Sequence, residues 1–218
     1  IVNSNYGSQG FKPLLLENFP SKAFINNLDI KKKVKNSIIY HGNLAPERGI
    51  VELIKAMPIV IKKIPDATLS LYGNFRINDF KNNISKTINR LNMNKCITLH
   101  AHILHSNIWK KLQDHRIGVI PFNDNALTRI GTPTKIFEFM AAGCQIVCAD
   151  LPPMKRYDIN GLKFFQPGNV ESLSAVLINA MNNISNNDLI YNQEKVKSVY
   201  NWECISHKLI NLYNRLLS

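Results

Sequence analysis

The chain has 218 residues, 45% of them hydrophobic, and 27 Lys and Arg against 15 Asp and Glu give a formal net charge of +12. That length suits one large α/β domain or two small ones and buries a core without disulfide or metal staples, and no apolar run approaches the length that spans a bilayer. The basic balance favours an anionic partner: nucleic acid, an acidic membrane surface and a phosphorylated ligand all qualify, with a solvated basic face as the plain alternative.

Up to Ser37 the chain is polar, asparagine-rich and irregular, with an apolar run at Leu14–Leu16 and a basic run at Lys31, Lys32, Lys33 and Lys35. Residues 1–20 lack the basic start and apolar block of a signal peptide, and a first residue of Ile1 reads as a piece of a longer protein. Ile38 to Gly42 reads as a short apolar strand. Glu47 to Lys63 reads as a helix, with Ile50, Leu53, Ile54, Met57 and Ile61 on one face, Pro58 as a candidate kink, and a second basic pair at Lys62 and Lys63. Strands follow at 68–73, 97–99 and 117–121, separated by helices over 77–92 and 104–113. Strands at 145–149 and 162–165, a helix over 170–182 and two helices across 187–217 complete the chain.

This alternation predicts a Rossmann-like α/β fold, a doubly wound parallel sheet with helices on both faces. Right-handed crossovers place the loops after the strands on one edge, where ligands of such sheets bind. The basic residues neither interleave with aromatics nor form a recognition helix, which argues against nucleic acid. Cys96, Cys144, Cys148 and Cys204 match no zinc or redox spacing. They read as buried free thiols in a reducing compartment, the cytoplasm.

Residues 131–153 read Gly-Thr-Pro-Thr-Lys-Ile-Phe-Glu-Phe-Met-Ala-Ala-Gly-Cys-Gln-Ile-Val-Cys-Ala-Asp-Leu-Pro-Pro. The stretch encodes a loop, a short helix, a glycine stop and a buried strand. Thr132 is a candidate N-cap with Pro133 at the first helical position, and Gly143 ends the helix. A helix N-terminus behind a glycine is a natural anion site, and Glu138 lies one turn in, within reach of a ligand held there. A plain helix packed on a sheet is the alternative.

The block resembles the donor-binding signature of group 1 (family 4) glycosyltransferases of the GT-B fold, in which Pro-x-Lys-Ile-Phe-Glu-Phe-Met-Ala-Ala-Gly carries the second glutamate of a Glu-x7-Glu motif. The likeness extends from about Leu14 to the C-terminus, so the chain resembles the second half of a GT-B enzyme. Leu15-Leu16-Glu17-Asn18-Phe19-Pro20 looks like the hinge that follows the first domain, and Trp202 to Leu217 like the terminal helix that crosses back to it. The resulting division is a hinge region at 1–36, a nucleotide-sugar-binding domain at 37–200 and a crossing helix at 201–218.

The resemblance implies that Glu138 hydrogen-bonds the ribose of a nucleotide sugar. Gly42-Asn43-Leu44-Ala45-Pro46-Glu47-Arg48-Gly49 resembles the family's Gly-Arg-x-x-x-x-Lys-Gly phosphate loop, with Arg48 at the lysine position and Asn43 at the arginine position. A surface charge at a helix start is the other reading of Arg48, although the helix dipole disfavours a cation there. Lys135 and Arg129 are candidates to supply the missing cation, and backbone N–H groups around Thr132 and Thr134 to bind phosphate oxygens. Gly73, His102 and Ile103 match loops that flank the nucleobase. Counting eight back from Glu138 gives Ile130, so the first glutamate is absent; Asp124 is the nearest upstream carboxylate.

His100, His102 and His105 raise a metal reading, but no carboxylate or cysteine at ligand spacing accompanies them, and no metal is expected. No Ser/His/Asp order or nucleophilic cysteine stands out. The expectation is the donor domain of a retaining glycosyltransferase, with Glu138, Arg48 and Lys135 as its catalytic groups and a UDP-, GDP- or similar nucleotide sugar as donor substrate rather than cofactor. The acceptor, a glycan or lipid-linked sugar, and any general base would come through a missing N-terminal domain. The enzyme would be cytoplasmic or peripheral on an anionic membrane. The rival expectations are a non-catalytic binding module, favoured by Ile130 and Asn43, and a basic scaffold on anionic partners.

Overall fold

The computed structural model describes residues 14–25 and 33–217. Lys31 and Lys32, and most of the proposed hinge region, lie outside the described residues.

Six parallel strands form one sheet: β1 (Val34–His41), β2 (Thr68–Tyr72), β3 (Ile97–His100), β4 (His115–Ile120), β5 (Gln145–Ala149) and β6 (Lys163–Phe165), in the order β3-β2-β1-β4-β5-β6. Around it lie α1 (Ile50–Lys63), α2 (Asn78–Arg90), α3 (His105–Asp114), α4 (Lys135–Ala141), α5 (Val170–Asn182), α6 (Asn186–Ser198) and α7 (Trp202–Leu217). Helix α1 packs on α2 and α5 over one face, and α4 on α3 and α6 over the other. This is the expected doubly wound α/β sheet. Strand order reverses between β1 and β4, so the loops leaving these two strands diverge and open a crevice at the carboxyl edge.

The interior of β1 is Ile38, Ile39 and Tyr40, all fully buried because helices cover both faces of a central strand. On α1, Ile50, Leu53, Ile54, Met57 and Val60 are fully buried. Removing each from water contributes roughly 1.5–3 kcal/mol. Val60 takes the core place expected of Ile61, which is only partly buried. The helix begins at Ile50, not Glu47, because a 3₁₀ turn over Pro46–Arg48 and Gly49 in the left-handed conformation (φ 67°) precede it. A Cβ on Gly49 would collide with the Pro121 carbonyl, so glycine there permits both the turn and the approach of the loop after β4.

Helix α4 starts at Lys135, with Thr134 as a helical N-cap that makes no side-chain capping bond. The expected cap at Thr132 is therefore displaced by two residues, and the Thr132 hydroxyl instead meets Tyr157 Oη at 3.1 Å. Lys33 is also not the surface charge its lysine run suggests. It is 7% exposed, and its ammonium donates to the carbonyls of Leu112 (3.3 Å), Gln113 (3.0 Å) and His115 (2.9 Å) at the end of α3. There it satisfies orphan carbonyls and complements the helix dipole. All four cysteines are free; Cys144 and Cys148 are buried, whereas Cys96, just ahead of β3, and Cys204 are partly exposed.

The segment around Phe19 is sewn to the far end of the chain. Phe19, Phe137, Tyr157 and Tyr200 form one aromatic cluster, with Phe19 edge-on to Phe137 at 4.7 Å and Phe137 edge-on to Tyr157 at 4.8 Å. Trp202 N–H donates to the Pro20 carbonyl (2.9 Å), and the Glu203 carboxylate accepts from Ser21 Oγ (2.5 Å) and Lys22 N–H (2.8 Å).

Candidate functional site

β1 ends on His41, and the chain turns through Gly42 to Arg48. Gly42 N–H donates to the Tyr72 carbonyl (2.9 Å) and Leu44 N–H to that of Asn74 (3.0 Å), so the loop is tied to the end of β2. A Cβ on Gly73 would strike the Gly42 carbonyl, which leaves glycine the residue that fits this approach. Tyr40 Oη donates to the Asn43 carbonyl (2.8 Å). From the other side of the crevice, Asn123 N–H donates to the Glu47 carbonyl (3.2 Å) and its Nδ2 to that of Pro46 (3.1 Å).

Two cations converge in this frame. The Arg48 guanidinium carbon lies 4.6 Å from the centre of the Phe122 ring, and Lys135 Nζ lies 5.2 Å from the same ring and 4.4 Å from that of Tyr40. The Lys135 ammonium is tucked against Gly42, 2.9 Å from where a Cβ would stand. Burial, reinforced by the Arg48 charge, pushes the Lys135 amine down to about 7, against a smaller opposing pull from Glu138. Two basic groups converging on one ring could receive an anion, although Arg48 also lies 3.9 Å from the Glu47 carboxylate.

Glu138, in the first turn of α4, is 8% exposed, and its Oε2 lies 3.0 Å from His41 Nε2. The His41 ring stands edge-on to Phe139, 5.4 Å between centres. Beside this pair opens a pocket of about 190 Å³ lined by His41, Gly42, Tyr72, Gly73, His102, Ile103 and Ile108. Tyr72 stacks flat on His100, 4.0 Å apart and 4° from parallel. Burial and the Lys111 charge lower the His100 pKa, which favours the uncharged ring.

The structure thus brings Gly42, Gly73, His102 and Ile103 to one pocket, with Arg48, Lys135 and Glu138 around its Gly42–His41 wall. Asn43 contributes a pinned carbonyl, while Thr134 sits at the head of α4. Arg129 stands apart. Its exposed guanidinium pairs with Asp124 through Nε (2.5 Å) and a terminal nitrogen (2.6 Å), and this holds the Asp124 carboxyl below its usual range. Ile130 is half exposed. Thr132 belongs to a hydroxyl chain in which Tyr157 Oη donates to Glu17 Oε1 (3.0 Å). Sequence reasoning missed His41 and Phe122. A polar ring ending an apolar strand, one residue ahead of the loop glycine, was the available signal for His41; Phe122 had none.

Among the described residues no group of three His, Cys, Asp or Glu side chains could hold a metal ion. No described helix is long and apolar enough to cross a membrane.

The fold is shared with several glycosyltransferases. TarM of S. aureus, crystallised as a point mutant with fondaparinux, alpha-GlcNAc-glycerol and UDP, superposes with a TM-score of 0.75 at 20% identity over 95% of this chain and 41% of its own. HepE of Anabaena, in complex with UDP and glucose, gives 0.71 at 15% identity over 85% of this chain and 49% of its own. The C-terminal domain of the group 1 family protein LpcC from Francisella tularensis gives 0.63 at 18% identity, over 84% of this chain and 96% of that domain. The chain therefore spans about half the length, or less, of the two longer proteins. No curated protein matches the sequence. The sequence model of the family described as glycosyl transferases group 1 matches residues 35–183, most of the chain and all the strands and loops of the site. The chain belongs to the group 1 glycosyl transferases, as the signature around Glu138 implied.

Proposed function

We propose that the chain is the donor-binding part of a retaining glycosyltransferase that takes sugar from a nucleotide diphosphate and passes it to a glycan or lipid-linked acceptor. The observation that carries this reading is the convergence of Arg48 and Lys135 on Phe122 beside Gly42, next to the pocket that His41, Gly73 and His102 line. The diphosphate would sit against the two cations and the base in the pocket. Glu138 would bind the ribose and orient the donor. As the glycosidic bond breaks, charge develops on the leaving diphosphate, and the pre-placed cations stabilise it without reorganising. The UDP in the TarM and HepE structures supports a nucleotide-sugar ligand for this shared fold. Transfer from UDP- and GDP-sugars by the whole protein, followed by NMR of the product anomer, tests the reading. Retention of configuration is expected, and inversion contradicts it.

The half-exposed Ile130, where the family motif has a carboxylate, favours a second reading: a binding module that keeps nucleotide affinity without transfer. Nucleotide binding with no turnover by the whole protein separates it from the first. The formal charge of +12 supports a cytoplasmic, peripheral position on an anionic membrane. Co-sedimentation with anionic vesicles at moderate salt, absent with neutral ones, is the expected result. Steeply salt-dependent binding to nucleic acid would point instead to a polyanion scaffold.

A further inference from the structure

We propose that the amino edge of the sheet, opposite the Gly42 crevice, is the surface by which the chain docks on an anionic lipid bilayer. This rests on the peripheral-membrane reading and names the face that it uses. The charge is unevenly spread: residues 53–116 carry 11 Lys and Arg against three Asp, whereas residues 136–218 carry seven of each sign. The fold gathers much of that excess at one edge. In a parallel sheet each crossover helix runs back towards the start of the next strand, and here the returning ends are basic. Helix α1 ends on Lys62 and Lys63, α2 ends on Arg90, and the last turn of α3 carries Lys111. Lys35 and Arg116 are the second residues of β1 and β4, and Lys95 stands two residues ahead of β3. Lys35, Lys62, Lys63, Arg90 and Lys95 are exposed, and Lys111 and Arg116 partly so.

Cations at helix C-termini complement the dipole, but the dipoles do not use up this set. Three helix ends, each worth roughly half a negative charge, together with Asp66 and Asp114 offset about half of these seven cations. The buried Lys33 ammonium already serves the end of α3. Residues 33–36, 62–67, 90–96 and 111–116, which form the edge, contain no Phe, Tyr or Trp. They therefore lack both the stacking platform of a single-stranded nucleic-acid site and the aromatic anchor of a protein hot spot. Charge without anchors suits a fluid layer of anionic headgroups, which rearranges beneath fixed cations. A five-residue strand such as β2 sets this edge roughly 17 Å from the crevice, so a docked chain keeps the crevice open.

The test is co-sedimentation of the 218-residue chain with vesicles of phosphatidylcholine and phosphatidylglycerol in equal parts, against vesicles of phosphatidylcholine alone. One variant combines Lys62→Gln, Lys63→Gln, Arg90→Gln and Lys95→Gln. A second combines Lys155→Gln, Arg156→Gln, Lys197→Gln and Lys208→Gln, removing the same charge from the balanced half of the chain. The edge variant should lower partitioning onto the anionic vesicles by about tenfold or more, and the second by less than about threefold. A third variant, Lys62→Arg, Lys63→Arg and Lys95→Arg, keeps the charge and should bind as the wild type does. Equal losses in the first two variants overturn the proposal while the peripheral reading, carried by net charge, stands. An edge variant that binds vesicles undiminished but loses affinity for duplex DNA gives the edge to nucleic acid and also overturns it. A wild type that ignores the anionic vesicles overturns the membrane reading and this proposal together.

Discussion

Arg48 and Lys135 share one aromatic ring: the guanidinium is 4.6 Å and the ammonium 5.2 Å from the centre of Phe122. They come from opposite walls of the crevice, Arg48 from the loop after β1 and Lys135 from the first residue of α4. The Arg48 charge is one reason the Lys135 amine lies near 7. Arg48→Met should therefore raise the Lys135 pKa, read by NMR titration of the lysine ε-methylene. No change would mean that burial sets it without Arg48.

The same shift gives a proton signature to ligand binding. Without ligand, the Lys135 amine is largely uncharged at pH 8, since burial and Arg48 hold it near 7. A diphosphate favours the ammonium, so binding should take up part of a proton at pH 8 and little at pH 6. Calorimetry in buffers of different ionisation enthalpy measures this, and Lys135→Met should remove it. Stability follows the same logic. The unfolded chain holds this proton up to the ordinary lysine range, so the penalty of burying the charge is full below about pH 7 and is relieved as pH rises from there towards that range.

Lys33→Ala should destabilise the fold by about 2–3 kcal/mol, because three carbonyls at the end of α3 lose their donor in a buried site. Lys62→Ala, at an exposed position in the last turn of α1, should change stability by less than about 0.5 kcal/mol. Urea denaturation of both variants makes the comparison.

Tyr157 connects the segment before the sheet to the loop before α4, since its hydroxyl bridges Glu17 and Thr132. Burial, aided by Glu17, pushes this phenol up to about 12, so it stays protonated as a donor. Tyr157→Phe keeps the ring against Phe137 and removes only the bridge. It should cost about 1 kcal/mol, and combining it with Thr132→Ala should cost less than the sum of the two. Strict additivity in denaturation would show that the hydroxyls act independently.

The sheet was legible because its signals are local. Ile38–Tyr40 and Ile146–Cys148 are short apolar runs, and Leu69-Ser70-Leu71 a short alternating one, between helical periodicities; their alternation with helices predicts a parallel sheet, while the strand order is set by the tertiary fold. The candidate crevice was legible where it sits on a motif, as Glu138, Lys135, Arg48 and the glycines are all near it. Its remaining features are tertiary. Phe122 follows β4 and reads as a core ring until Arg48 and Lys135 are placed over it. Lys33 sits in a lysine run whose composition says surface, and only the end of α3 makes it interior. Thr132 before Pro133 looks like a cap, yet the helix begins after Thr134 and the hydroxyl goes to Tyr157. Arg129 lies near the motif in sequence, but Asp124 takes its guanidinium.

The most direct measurement is calorimetric titration of the chain with UDP and GDP, with Glu138→Ala and Arg48→Ala in parallel. The account predicts saturable binding of one nucleotide at one site, weakened about tenfold or more in each variant. Binding of a nucleotide with undiminished affinity in both variants would contradict it, because the ligand would then lie away from the Gly42 crevice.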